Sequence, residues 1–312
     1  MDPWGILVWN MSLMSPGRGR GKAERNMEYL WGLIEQHDIR IALLNEASVA
    51  HLRAANVAAA SRGDPEPFAF SQGGIRGRDY WTDERGVRKL KNRRRWSSAV
   101  MSPRGPEHLG EEDVRARAPS RRPPVVDIPF TDSRPGTWIA ATVKTDDGSI
   151  TCVSLYGLIE ELTDASMHRS LSEISPIFSD PRHNEFVVLG GDFNISTGLA
   201  DRAARKRSSL VLDRIRAYGL EDCLSRWREE KSLPPMEGCR CEDEPCRHTL
   251  TRLTPNEPGA DARWQERAPI QVDYLFASER LAHQLDEVIE IPPEEWEQYS
   301  DHRPVIAKFR AR

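Results

Sequence analysis

No apolar run in the chain approaches the ~18 residues that a membrane span requires, and the mean hydropathy of −0.60 fits polar loops and a polar surface. The 312 residues include only five cysteines. The N-terminus opens almost directly into Gly5-Ile6-Leu7-Val8-Trp9, with no basic leader region and no cleavage site. These absences lead us to expect a soluble, intracellular, cytoplasmic protein with no membrane partner. In that setting its thiols are reduced or serve as ligands, and the Asn-x-Ser triplets at Asn10 and Asn194 carry no glycan. Nor is there a global basic excess to announce nucleic acid, because 44 Lys and Arg face 48 Asp and Glu for a net charge of −4. Internal repeats and clean linkers are also missing.

What is present is segregated charge and a set of apolar runs with polar ends. From Arg76 to Arg95, nine basic residues stand against three acidic ones, whereas Leu281–His302 holds seven acidic residues and no Lys or Arg. A basic stripe can track a phosphate backbone even on an acidic protein. Arg93, Arg94 and Arg95 close this stripe and are its candidate substrate contacts, with Trp81 and Trp96 placed to stack on unpaired bases. The plainer reading of the stretch is a solvated loop.

Val187-Val188-Leu189-Gly190-Gly191-Asp192-Phe193-Asn194 carries the most information. A short apolar run bounded by glycine reads as a buried strand, and period 2 sets Asp192 and Asn194 on one face at its end. The two glycines are expected to let a substrate approach the backbone. Further apolar runs end in Trp9-Asn10, Asn45-Glu46 and Leu155-Tyr156, and Asp273 and Ser300-Asp301-His302 adjoin others. Helical periodicity over 24–37, 50–60, 166–178 and 208–218 interleaves with these strands, and Asp146-Asp147-Gly148 signals a hairpin. The mixture predicts an α/β protein of two packed mixed β-sheets with helices outside. It forms a single domain over 1–312, with irregular insertions at about 73–95, 102–124 and 228–269.

Taken together, these strand ends resemble the endonuclease/exonuclease/phosphatase superfamily. The resemblance runs from Leu7 to Phe309 and rests on Gly-Asp-Phe-Asn (191–194), Ser-Asp-His (300–302), Glu46 and the 219–222 turn. It implies a four-layer α/β sandwich with the active site at one edge of the two sheets. It also implies a metal-dependent phosphodiesterase using Mg2+ or Mn2+. Glu46, Asn10 and Asp301 would hold the metal, since a hard cation prefers oxygen ligands. Asp192 would orient or deprotonate the attacking water, and Asn194 would donate to a phosphate oxygen. His302 would contact phosphate with Asp273 keeping it protonated, and Tyr156 stands where abasic-endonuclease-like members bind phosphate. Two positions depart from the pattern: Ser12 stands where several nucleases carry Asn or Asp, and Asn45 stands where Gln is commoner.

DNA is the expected partner and substrate. A phosphatase or phosphodiesterase for a small molecule or lipid headgroup, or an RNase, would suit the same scaffold, and a non-catalytic binding module would be a third class. Cys239, Cys241, Cys246 and His248 lie within ten residues and offer a Zn2+ site, although C-x-C-x4-C-x-H is not a standard finger spacing and reduced thiols are the competing reading. Cys152 and Cys223 are read as buried and inert.

Overall fold

A computed structural model of the chain describes residues 3–11, 22–48, 51, 55, 57, 59–61, 63, 67–70, 78–82, 88–93, 96–109, 116–117, 127–128, 133–134, 136–146, 148–159, 163–199, 201–239, 241, 245–253 and 269–310. Twelve strands form two sheets. They are β1 (Trp4–Asn10), β2 (Ile39–Ser48), β3 (Phe68–Phe70), β4 (Trp96–Met101), β5 (Glu107–His108), β6 (Trp138–Thr145), β7 (Gly148–Leu155), β8 (Val187–Asp192), β9 (Leu220–Asp222), β10 (Asp273–Ser278), β11 (Leu285–Glu290) and β12 (Val305–Phe309).

The first sheet has the order β11-β12-β1-β2-β4-β3 and the second β9-β10-β8-β7-β6-β5. Each sheet holds one parallel pair at its centre, β1 with β2 and β7 with β8, and every other pairing is antiparallel. A parallel pair ends where its antiparallel neighbours begin, so one edge of each sheet collects several strand termini.

Strands covered on both faces alternate between two cores. Trp4, Ile6 and Val8 of β1 join Ile41, Leu43, Val188, Leu275 and Ala277 between the sheets. Leu7 and Trp9 face outward to helix α1 (Lys22–Gln36), against Met27, Leu30 and Trp31. The outer face of the second sheet packs on α2 (Thr163–Ser179) and α3 (Arg202–Ala217) through Leu171, Ile174, Val211 and Ile215. Three cores between four layers give the expected α/β sandwich. Burying one such aliphatic side chain is worth roughly 1.5–3 kcal/mol.

Three sequence expectations are corrected. The 73–95 tract is not irregular throughout, since Arg78–Thr82 pairs with Arg88–Arg93 in a hairpin. Helix α3 begins at Arg202, six residues before the expected start. Its N-cap Asp201 accepts from the Ala204 amide, a local signal outweighed by the run of arginines after it. The glycines of Gly190-Gly191 serve packing instead of substrate approach. A Cβ on Gly190 would lie 2.8 Å from Val8 and 2.9 Å from Leu43 of the opposite sheet. One on Gly191, at φ +142°, would lie 2.0 Å from the Leu155 carbonyl oxygen. Among the described residues, no helix is long and apolar enough to cross a membrane.

Candidate active site

The site is built by continuing each inward-facing series to the strand end. The series Trp4-Ile6-Val8 reaches Asn10, Ile41-Leu43 reaches Asn45, and Val188-Gly190 reaches Asp192. Ala277-Leu275, running the other way, reaches Asp273. Period 2 thus delivers polar side chains to the rim of the inter-sheet core without interrupting it. Glu46 is out of phase with this series. A register shift of β2 against β4 between Leu44 and Ala47, with Glu46 at φ +53°, turns it into the site beside Asn45.

Hydrogen bonds tie the two sheets together there. The Asn10 amide donates to Asp192 Oδ2 at 2.8 Å and to Glu46 Oε1 at 3.2 Å. The Tyr156 hydroxyl donates to Glu46 Oε1 at 3.3 Å. Asn45 accepts from the Asp192 amide at 2.6 Å and donates to the hydroxyls of Ser98 (3.0 Å) and Ser154 (3.4 Å). His302 Nδ1 lies 2.8 Å from Asp273 Oδ2, and its Nε2 lies 3.8 Å from Asp192 Oδ2. Ser300 places this segment, its hydroxyl donating to the Asn10 carbonyl at 2.7 Å. The Trp9 indole N–H donates to the His302 carbonyl at 3.1 Å.

The fold has solved counterparts. An AP endonuclease from Archaeoglobus fulgidus superposes with a TM-score of 0.57 at 16% identity, covering 99% of this chain and 100% of that one. The 3' phosphatase NExo from Neisseria, bound to product DNA hairpin, gives 0.57 at 18%, with 99% and 100% covered. An endonuclease/exonuclease/phosphatase family protein from Leptotrichia buccalis gives 0.53 at 13%, again with 99% and 100% covered. The chain has the endonuclease/exonuclease/phosphatase fold. No protein-family model and no curated protein matches its sequence.

In this fold the rim residues sit where burial controls their charge. Burial pushes the Asp192 carboxyl up to about 7, with Asp273 adding to the rise, while His302 and the hydrogen bonds from Asn10 and Asn194 pull it down. Burial alone would lower His302, but Asp273, Asp192 and Asp301 overcome it and raise the ring to about 9. Asp192, Asp273 and His302 offer donor atoms all within 4.8 Å of one another. A ring protonated at neutral pH makes this trio an imidazolium between two carboxylates. Burial lifts the Tyr156 phenol well above its usual range, so it stays protonated and donates.

The endonuclease/exonuclease/phosphatase fold brings together Asn10, Glu46, Tyr156, Asp192, Asn194, Asp273 and His302. Asn194 differs from expectation in its contacts. Its amide donates to the Gly157 carbonyl (2.9 Å) and to Asp192 Oδ2 (3.1 Å), so it faces the carboxylate. Asp301 follows Ser300 at the rim, and its carboxylate pairs with Arg252 at 3.3 Å. Trp96 is buried against Tyr156, ring centroids 4.6 Å apart, as core instead of a stacking platform. Arg94 and Arg95 lie outside the described residues, as does the side chain of Arg93 at the end of its hairpin.

Sequence reasoning missed Asn45 as an inter-sheet clamp and Arg252 as the partner of Asp301. Nothing marks Arg252 out among 44 Lys and Arg. It also missed a cavity of about 700 Å³ on the second sheet's side, whose lining includes Arg202, Arg205, Lys206, Arg216 and Arg247. Its lining includes Asp222 but not Glu46, Asp192, Asp273 or Asp301. We take the polar rim, where the raised Asp192 carboxyl and the His302 imidazole converge, as the candidate chemical site.

Proposed function

We propose that the protein is a divalent-metal-dependent phosphodiester hydrolase that cuts DNA. The observation that carries this reading is the Asp192–His302–Asp273 group, in which a buried carboxylate and a protonated imidazole face each other 3.8 Å apart. Supporting it are the solved counterparts, among them an AP endonuclease and a 3' phosphatase bound to product DNA hairpin.

Asp192 takes the proton of the attacking water, a role suited to a carboxyl raised to about 7. Asn10 and Asn194 hold its Oδ2 through their amides, which makes Asn194 a positioning residue. His302, fixed by Asp273, donates to a phosphate oxygen as charge builds up in the pentavalent state. Tyr156 orients Glu46. The donors Glu46, Asn10 and Asp301 are all oxygen-bearing, as a hard cation prefers, and Asn10 links them, its amide bonding Glu46 and its carbonyl the Ser300 hydroxyl beside Asp301. When bound there, Mg2+ or Mn2+ would polarise the phosphate and relieve charge on the leaving oxygen.

The test is hydrolysis of supercoiled plasmid, end-labelled single- and double-stranded DNA, RNA and small phosphoesters. Each is run with Mg2+, Mn2+ or EDTA, beside Asp192→Ala. Metal-dependent DNA cutting that the variant lacks is the expected result. Turnover of RNA or small phosphoesters alone would replace DNA as the substrate. No turnover of any phosphoester by folded protein would leave a binding module.

A further inference from the structure

Away from the carboxylate rim, the fold gathers the cysteine-rich loop into one point. We propose that Cys239, Cys241, Cys246 and His248 bind a Zn2+ ion that staples this loop to the segment following Asp192. The proposal does not depend on what the active site hydrolyses.

Each of the four residues offers a donor atom, and all four atoms lie within 4.8 Å of one another. The distances match the metal. Zn–S bonds of ~2.3 Å and Zn–N bonds of ~2.0–2.1 Å at tetrahedral angles set S···N edges of about 3.5 Å. Cys239 Sγ and Cys246 Sγ each lie 3.5 Å from His248 Nδ1. The other ring nitrogen is fixed as metal-binding histidines require. His248 Nε2 lies 2.6 Å from Thr197 Oγ1, so as the Nε2–H tautomer it donates there and turns its Nδ1 lone pair to the sulfurs. Cys246 and His248 are buried, which suits an enclosed ion more than a pair of reactive surface thiols.

Binding would release the three thiol protons to solvent and leave the cysteines as thiolates. The ion would also give the loop an anchor that its sparse core lacks. Three residues beyond His248, the Thr251 hydroxyl accepts from the amides of Val272 and Asp273, and Arg252 pairs with Asp301. Zinc would thus fix the strand of chain that abuts the acidic rim.

The test is zinc content and cobalt substitution of the whole protein, beside Asp192→Ala, Cys246→Ser and Thr197→Val. We expect one zinc per chain in both wild type and Asp192→Ala. Co2+-loaded protein should show intense thiolate-to-metal charge transfer with tetrahedral d–d bands. Cys246→Ser should lose that charge-transfer intensity, and Thr197→Val, which removes the acceptor for the ring N–H, should weaken binding about 10–100-fold. Wild-type protein that binds no zinc and shows no charge transfer would overturn the proposal. So would a disulfide among the three cysteines, or metal retained undiminished by Cys246→Ser.

Discussion

The two sheets can be laid strand on strand, and their equivalent ends meet. β1 corresponds to β8, β2 to β7 and β12 to β10, each pair holding the same place beside or within the central parallel pair. At these matched ends Asn10 touches Asp192 at 2.8 Å, Glu46 touches Tyr156 at 3.3 Å, and His302, three residues before β12, touches Asp273 at 2.8 Å. The architecture is duplicated while the chemistry is complementary, with amide against carboxylate, carboxylate against phenol and imidazole against carboxylate. The second sheet supplies Asp192 and Asp273, and the first supplies Asn10 and His302 against them, with Glu46 beside Asn10. A site divided in this way exists only while the sheets stay packed.

The largest predicted break comes from the second sheet. Asp192→Asn keeps the shape and most hydrogen bonds but removes the base, and turnover should fall by about 10³–10⁴-fold with an unchanged far-UV spectrum. Turnover within tenfold of wild type would end the assignment. Its first-sheet counterpart His302→Ala should cost about 10²–10³-fold. The two acting as one unit, the double variant should lose little beyond the worse single change.

Next comes the pH profile of kcat/KM. Asp192 must be ionised and His302 protonated, so activity should rise as pH passes about 7 and fall as it passes about 9. The Asn10 hydrogen bond lowers the Asp192 pKa, so Asn10→Ala should move the acid limb to higher pH. An acid limb left in place would show that the amide does not tune the acid.

The clamp between the sheets gives a smaller effect on stability. Asn45→Ala strands the Asp192 amide and removes the donor to Ser98 and Ser154, whose hydroxyls keep their own bonds to the Thr137 and Leu44 carbonyls, and should cost about 1–3 kcal/mol in denaturant unfolding. Smallest of all, Arg252→Ala should raise KM several-fold with kcat nearly constant, because Arg252 is half-buried at the rim and pairs with Asp301. A fall in kcat with KM unchanged would move Arg252 into the chemistry.

The rim position of the candidate residues was legible in sequence because an apolar strand that stops at Asn, Asp or Tyr leaves that residue at the rim. The fold followed from the same runs and their intervening helical periods. Pairing across the interface was not legible. Asn10 and Asp192 stand 182 positions apart, and nothing local to either names the other. The Glu46 bulge was hidden for a related reason, since it is a mismatch with β4 and not a property of β2 alone. The Gly190-Gly191 pair misled because small size reads the same whether a ligand or an opposing sheet comes close. The early start of α3 was lost in an arginine run with no apolar stripe to mark it.

One amide turns this division into a gauge. Asp192 N–H ends on the side chain of Asn45, in the other sheet, at 2.6 Å. Its proton can therefore be traded with solvent deuterium only when the two layers part, whereas strand amides bonded within one sheet can open by local fraying. A single slow-exchanging hydrogen at Asp192 would then report the free energy of opening the whole sandwich, making the backbone of the proposed base the sensor of global stability.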